Sequence, residues 1–179
     1  MLCCNNPTRN KLRFMDLPAS AFPSPVHDHR DCVRAALDAA EIKCGQRGAR
    51  LTALRRRVLE LVWTSHEPVG AYALLDTLKT EGQAAAPPTV YRALDFLLQQ
   101  GLIHRLERLN AFVGCPRPEA SHSAQFLICT TCGRAAELDD PAIGLAVRQG
   151  AEARGFTIDR QTIEVEGLCA DCRSAFQKK

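Results

Sequence analysis

Residues 86–115 read APPTVYRALDFLLQQGLIHRLERLNAFVGC, and the change of period inside this stretch decides the fold. Pro87 and Pro88 suit the first turn of a helix, where the missing amide hydrogens would have no partner. Val90, Leu94, Leu97 and Leu98 then recur at helical spacing, and Gly101 stops the run. Beyond it, LIHRLE and AFVGC flank RLN, and Asn110 suits a left-handed turn position. The expectation is a helix followed by a two-stranded hairpin. With Leu109–Asn110 as a two-residue turn, residue 104 lies directly opposite residue 115.

Upstream, three more helices are predicted. RDCVRAALDAAEIKCG, residues 30–45, ends near Gly45. TALRRRVLELVWTS is capped by Thr52 and turns Leu54, Val58, Leu61 and Val62 to a core. GAYALLDTLKTEG is closed by Gly82. Four helices and a hairpin predict a winged helix-turn-helix over residues 30–115, the architecture in which the last helix before the wing enters the major groove. Tyr91 and Arg92 fall on the exposed side of that helix, near its start. Arginine reaches phosphates or guanine edges, and an aromatic ring contacts thymine methyls or sugars. The plainer alternatives are Tyr91 packed on the wing and Arg92 in a surface ion pair.

Charge agrees with this reading. The net charge is only +3, but residues 1–114 carry 15 Lys/Arg against 11 Asp/Glu, whereas residues 115–179 carry 8 against 9. From Lys43 to Arg57 there are six basic residues and no acid, Arg55 among them. Such a field attracts polyanions; a solvated helix face is the alternative.

The remainder, residues 123–176, predicts a small α/β domain. SAQFLIC is an apolar strand and CGRAAELD a second; PAIGLAVRQGAEARG is a helix from Pro141 to Gly155; FTIDRQTIEVEGLC is mostly strand. About 60 residues make a poor core on their own. Two Cys-x-x-Cys knuckles, Cys129–Cys132 and Cys169–Cys172, bracket the domain and supply the four soft ligands of a closed tetrahedral zinc site. Zinc there joins the beginning of the domain to its end, so its binding energy is folding energy. An exposed sheet edge invites a second copy.

His104, Cys115, His122 and Glu137 are the ligand-type residues left over, and they cluster around the junction at residues 116–122. A site built from them joins the two halves, so its occupancy can select one hinge arrangement. One thiolate in the set favours zinc over magnesium or calcium. Each also has a plain reading: His104 as wing surface, Cys115 as a small buried residue, Glu137 as strand polarity.

No run of about 18 apolar residues suggests a membrane span, and residues 1–29 read as a flexible tail or a mistaken early start. Nine cysteines, an odd number, argue against a disulfide framework and for a cytoplasmic protein. Cys32 and Cys44 read as small hydrophobes on a helix, Cys3 and Cys4 as a tail pair. An enzyme is the weakest reading: hydrolytic zinc needs an open coordination position, and nothing in the sequence offers a pocket for a small-molecule substrate.

The stretches RLTALRRRVLELV, KTEGQAAAPPTVYRALDFLLQQGLIHRLE, HSAQFLICTTCG and GLCADC resemble the ferric uptake regulator family and, within it, the zinc uptake regulators. The resemblance spans about residues 30–173. It implies a homodimeric, metal-dependent DNA-binding protein with a C-terminal dimerisation domain. It further implies a structural zinc on Cys129, Cys132, Cys169 and Cys172, and a sensing zinc on His104, Cys115, His122 and Glu137 in each subunit. It adds Tyr72 to the DNA contacts beside Arg92 and Tyr91. It also implies an AT-rich palindromic operator, with room for two dimers that touch through Asp76 and Lys79. Iron regulators of the family carry a His-His-x-His run before the first knuckle, where this chain has ASHSAQFLIC, and the oxidisable site of the peroxide sensors cannot be assembled. The family's LTPQR appears as LTALR, with Ala53 replacing a helix-starting proline. An iron- or peroxide-responsive relative, or a zinc-ribbon interaction module, is the competing expectation.

Overall fold

Helix α4 (Pro87–Gln99) forms as its sequence dictates. Ala86 is extended, at φ −112° and ψ 154°, and the two prolines occupy the first helical positions. Gly101 takes φ 62°, a left-handed conformation costing a residue with a side chain roughly 1–2 kcal/mol. The turn brings the Leu102 amide to the Leu97 carbonyl at 2.9 Å and so satisfies the end of the helix. The buried face holds Val90, Leu94 and Leu97, as the spacing predicts, and also Ala93 and Phe96; Leu98 is half-buried.

The computed structural model describes residues 22, 29–65, 67–119, 124–138 and 140–177. They form two units that divide between residues 120 and 121, with Phe22 grouped with the second. Of the tail expected over residues 1–29, only Phe22 and His29 lie among the described residues, and His29 already belongs to a helix.

In the N-terminal unit, α1 (His29–Gln46), α2 (Ala53–Trp63) and α3 (Ala71–Thr80) precede α4. The first helix continues past Gly45, and the chain reverses at Gly48 instead, where the Ala49 amide reaches the Cys44 carbonyl at 2.8 Å. Thr52 caps α2 by accepting from the Arg55 amide at 3.5 Å. Val58 and Val62 are buried as expected, Leu54 and Leu61 pack at the margin, and Leu59 and Trp63 widen the face. Cys32 and Cys44 are buried in the same core. The four helices thus share one apolar interior, closed on one side by three short strands.

Those strands form a three-stranded sheet, not the two-stranded hairpin expected. β1 (Val69–Gly70) pairs with β3 (Ala111–Gly114), which pairs with β2 (Ile103–Leu106). The register also differs: His104 lies opposite Val113, and the turn holds four residues, Glu107–Asn110. Asn110 does adopt a left-handed φ of 47°, and its side-chain oxygen accepts from Arg105 at 3.2 Å. Shifting a hairpin by two residues leaves every side chain on its original face, so sequence alternation cannot separate the two registers. Burial does: the closing pair Leu106–Ala111 is sealed in the interior.

Trp63 packs against β3 at Gly114. A Cβ placed on Gly114 would stand 2.1 Å from Trp63 Cε2, inside a ring that is itself buried. Gly114→Ala is therefore expected to cost about 2 kcal/mol through overpacking, read as a lower midpoint in denaturant unfolding.

The C-terminal unit is a sheet of order β5–β4–β6 with two helices. β4 (Ala124–Cys129) is the central strand, antiparallel to β5 (Ala135–Glu137) and parallel to β6 (Thr162–Gly167). Parallel neighbours need a crossover, and α5 (Pro141–Glu152) supplies it, its Ala142 amide capped by the Asp140 carboxylate at 2.8 Å. Nearly every β4 residue is buried, including Gln125, whose amide donates to the Asp140 carbonyl at 3.0 Å. One expectation needs correcting: the last strand begins only at Thr162. The second knuckle leads into a further helix, α6 (Ala170–Gln177), which was not among the expected elements. No described helix is long and apolar enough to cross a membrane.

Candidate metal centre and nucleic-acid interface

Cys129 ends the central strand, and the chain must turn back at once to start β5. Gly133, at φ 72°, makes that reversal; its amide donates to the Cys129 carbonyl and the Cys129 amide to the Arg134 carbonyl, both at 2.9 Å. Because β6 runs parallel to β4, its end emerges beside the end of β4, where the Thr130 amide meets the Gly167 carbonyl at 2.9 Å. This parallel pairing carries Cys169 and Cys172 to the first knuckle across some 40 residues of chain.

The four sulfurs of Cys129, Cys132, Cys169 and Cys172 lie within 4.8 Å of one another. Cys132 and Cys169 Sγ are 3.9 Å apart. Tetrahedral zinc with Zn–S bonds of about 2.3 Å would set sulfurs about 3.8 Å apart, so the donor set fits such an ion in number, type and spacing. Cys129 and Cys169 are buried, Cys172 is half-buried and Cys132 is exposed.

Electrostatics at the cluster favour thiolates. The backbone amide of Cys169 donates to Cys129 Sγ at 3.4 Å and brings that thiol down to about 6. The backbone at Cys172 lowers Cys169 in the same way. Cys172 is pushed up to about 12, chiefly by the neighbouring Cys169 sulfur. Negative charge gathered on the first sulfurs resists ionisation of the last, and a divalent cation relieves that resistance as its binding releases the proton.

Arg134 was not among the expected site residues. Its Nε donates to Cys132 Sγ at 3.4 Å, and its Nη2 donates to Cys169 Sγ at 3.3 Å and to Asp171 at 2.6 Å. The signal available in the sequence was an arginine two positions after a knuckle, which alone is only a charged residue.

Of the second set, His104 and Cys115 belong to the N-terminal unit. The Cys115 amide donates to the Leu102 carbonyl at 3.0 Å, so Cys115 continues the β2–β3 ladder opposite Leu102. His104 and Cys115 are thus diagonal rather than direct neighbours, yet on the same face, at the 7–8 Å spacing typical of such pairs (about that between backbones). Cys115 is buried and His104 half-buried. Lys43 of α1 donates to the Pro118 carbonyl and holds the chain after Cys115 against the unit. Burial lowers the pKa of this lysine, and Cys115 is among the groups that partly restore it. Glu137 lies in the C-terminal unit at the end of β5, half-buried and paired across the sheet with Phe126. His122 lies outside the described residues.

The nucleic-acid candidates separate into free and engaged side chains. Tyr72 on α3 and Tyr91 on α4 are 67% and 41% exposed, unusual for large aromatic residues. Arg92 beside Tyr91 is exposed and makes no ion pair among the described residues. Arg55 is occupied: its guanidinium lies 3.6 Å above the Phe96 ring and donates to the Arg50 carbonyl at 2.6 Å. Arg56 and Arg57, expected to add free positive charge, are paired with Glu41 and Glu60, and with Glu60 and Glu81. The Arg57–Glu81 pair binds α2 to the end of α3, which sequence position could not reveal.

The profile of the Ferric uptake regulator family matches residues 46–166. The chain belongs to that family. It is 40% identical over 134 residues to the Zinc uptake regulation protein of Escherichia coli (strain K12), a match covering 74% of this chain and 78% of the relative. The Zinc uptake regulation protein of Mycobacterium tuberculosis (strain ATCC 25618 / H37Rv) is 31% identical over 127 residues, covering 71% and 97%. Among solved structures, a zinc uptake regulator complexed with zinc and DNA superposes with a TM-score of 0.77 at 38% identity, over 81% of this chain and 97% of its own. Holo XcZur gives 0.72 at 48% identity, over 78% and 98%. Within the family, the chain therefore sides with the zinc uptake regulators. The profile region holds His104, Cys115, His122, Glu137 and the first knuckle; Cys169 and Cys172 lie just beyond it.

Proposed function

We propose that this chain is a zinc-responsive transcriptional repressor, a homodimer that binds AT-rich palindromic operators of zinc-uptake genes when zinc-loaded. The observation that carries this reading is the match across both units to a regulator solved with zinc and DNA. In this reading the N-terminal unit is a winged helix and α4 its recognition helix. Arg92 and Tyr91 stand free at the start of α4, where a helix in the major groove presents its side chains to base edges. Tyr72 on α3 adds a backbone contact. Arg55 contributes positive field near the phosphates while its side chain stays on Phe96.

The C-terminal unit is the dimerisation domain. Among the described residues α5 buries only Gly144 and exposes Leu145 and Val147. A 12-residue helix with so little packing is marginal in water. Val165 on the edge strand β6, with Phe156, Leu168 and Phe176, is exposed as well. A second copy covering these residues would supply the missing burial.

Cys129, Cys132, Cys169 and Cys172 hold the structural zinc, and His104, Cys115, His122 and Glu137 the regulatory one. Filling the second site ties the two units together and selects the arrangement that fits adjacent major-groove faces. This is coupling between two binding events, without chemical turnover. The proposed setting is the cytoplasm, whose reducing conditions keep thiols free for metal.

Titration of a fluorescent operator duplex under a zinc buffer tests the reading. Tight binding that appears with zinc and is lost on chelation is expected; zinc-independent affinity would sink it. Arg92→Ala is expected to weaken the operator complex by about 1–3 kcal/mol while changing affinity for random duplex much less. Equal loss on both, in competition binding, would remove Arg92 from base readout.

A further inference from the structure

Arg134 has a role in the four-sulfur centre that a mere ion pair with Asp171 does not explain. Two of its nitrogens are spent on sulfur. Nε reaches Cys132 at 3.4 Å and Nη2 reaches Cys169 at 3.3 Å, so one planar guanidinium spans a sulfur from each knuckle. Those sulfurs are themselves 3.9 Å apart, as neighbouring ligands of one ion would be. Asp171, at 2.6 Å, fixes the guanidinium from the first turn of α6. The arginine side chain is only 17% exposed although the site lies at the surface. It is held by the very elements that deliver the cysteines.

The placement follows need. Cys132 is the exposed member of the four, the sulfur a reagent in solution meets first. Four thiolates around a divalent zinc leave two negative charges, most of them on sulfur, and zinc-bound thiolates with that much density remain nucleophiles. A guanidinium donating to two of them withdraws density from the lone pairs and covers part of their surface. Charge-assisted hydrogen bonds of this kind are roughly twice as strong as neutral ones. Groups beyond the ligands commonly tune a metal site in this way.

We propose that Arg134 is a positioning residue of the four-cysteine centre: it bridges the two knuckles and makes the Cys132 and Cys169 sulfurs poor nucleophiles, so that the structural zinc stays inert toward electrophiles. This rests on the reading that the four cysteines bind zinc. The chemistry it resists is simple. A sulfur lone pair would form an S–C bond to an activated alkene as the alkene's π bond breaks, and the adjacent carbon would take a proton from water, leaving hydroxide. The alkylated sulfur would be a neutral thioether, a far weaker donor to zinc than a thiolate.

The test uses the full-length zinc-loaded protein, Arg134→Gln and Arg134→Lys. N-ethylmaleimide is added in excess, and zinc release is followed with a chromogenic chelator. Arg134→Gln is expected to release the structural zinc about 10-fold faster, with the lysine variant between it and the parent. The second readout is the cobalt-substituted protein, whose sulfur-to-cobalt charge-transfer band moves to lower energy when the hydrogen bonds to sulfur are lost. Loosened folding is read separately, as loss of the band's intensity as cobalt leaves and as a lower midpoint in thermal unfolding. Unchanged release, or faster release with an unmoved band, overturns the proposal; the lysine variant decides should the glutamine variant not fold. Should the parent protein hold no tight zinc at these cysteines, the structural-zinc reading itself fails. Should it hold zinc and release it at the same rate in all three proteins, only the role of Arg134 fails.

Discussion

Cys169→Ser is expected to strip one zinc from each chain and unfold the C-terminal unit. Cys169 ties the second knuckle to the rest of that unit. Its amide donates to Cys129 Sγ, its carbonyl accepts from Arg173 to open α6, and its own sulfur accepts from Arg134. The unit has little else to stand on. Its central strand is buried, but α5 buries one glycine and the far end of β6 is exposed. Structural zinc in small domains contributes about 10–16 kcal/mol to folding, more than such a core supplies. The N-terminal unit, with its own interior of buried residues, should persist. Elemental analysis and hydrogen exchange check both halves: zinc content falls by one ion, and β4 amides lose protection while α4 amides keep it. Full zinc content with a protected β4 would end the structural role.

Cys115→Ser is expected to leave a folded protein whose operator affinity no longer responds to zinc. The substitution changes one buried atom, from a thiol to a hydroxyl, and a neutral hydroxyl is a poor partner for zinc where a thiolate is a strong one. Coupling free energies between effector and ligand sites run about 1–3 kcal/mol, so zinc-loaded affinity should drop on the order of 10–100-fold, toward that of the metal-free parent. Operator binding across a zinc buffer series, with thermal unfolding as the control, measures both. A variant that keeps the full zinc response would show that the regulatory site lies elsewhere.

The residues that reported themselves in the sequence share one property: their meaning lies in a short window. Pro87–Pro88 and Gly101 bound α4 within a single helix, Thr52 caps α2 three residues before its partner, and Asn110 carries its own turn preference. The knuckles likewise announced ligands by local spacing, and the structure brings all four sulfurs together. The misread features depended on partners far away. The hairpin register was open because two registers two residues apart bury the same face, and only the packing of Leu106 and Ala111 chooses. β1 is two residues long and exists only because β3 offers it an edge. Arg56 and Arg57 looked like free charge until the fold set Glu41 and Glu81 beside them.

By itself, then, the sequence determined the four main helices of the N-terminal unit, the β2–β3 hairpin, the central strands and helix of the C-terminal unit, the four cysteines that come together, and the membership in a family of regulators. Periodicity, caps and ligand spacing act over a few residues and survive without a fold. Only the tertiary structure decided which arginines stay free to meet a polyanion, how His104 and Cys115 share a face, and that Arg134 reaches across both knuckles. Ion pairing and thiolate hydrogen bonding act over a few ångströms of space, and the parallel pairing of β4 with β6 is what makes residues some 40 positions apart near neighbours.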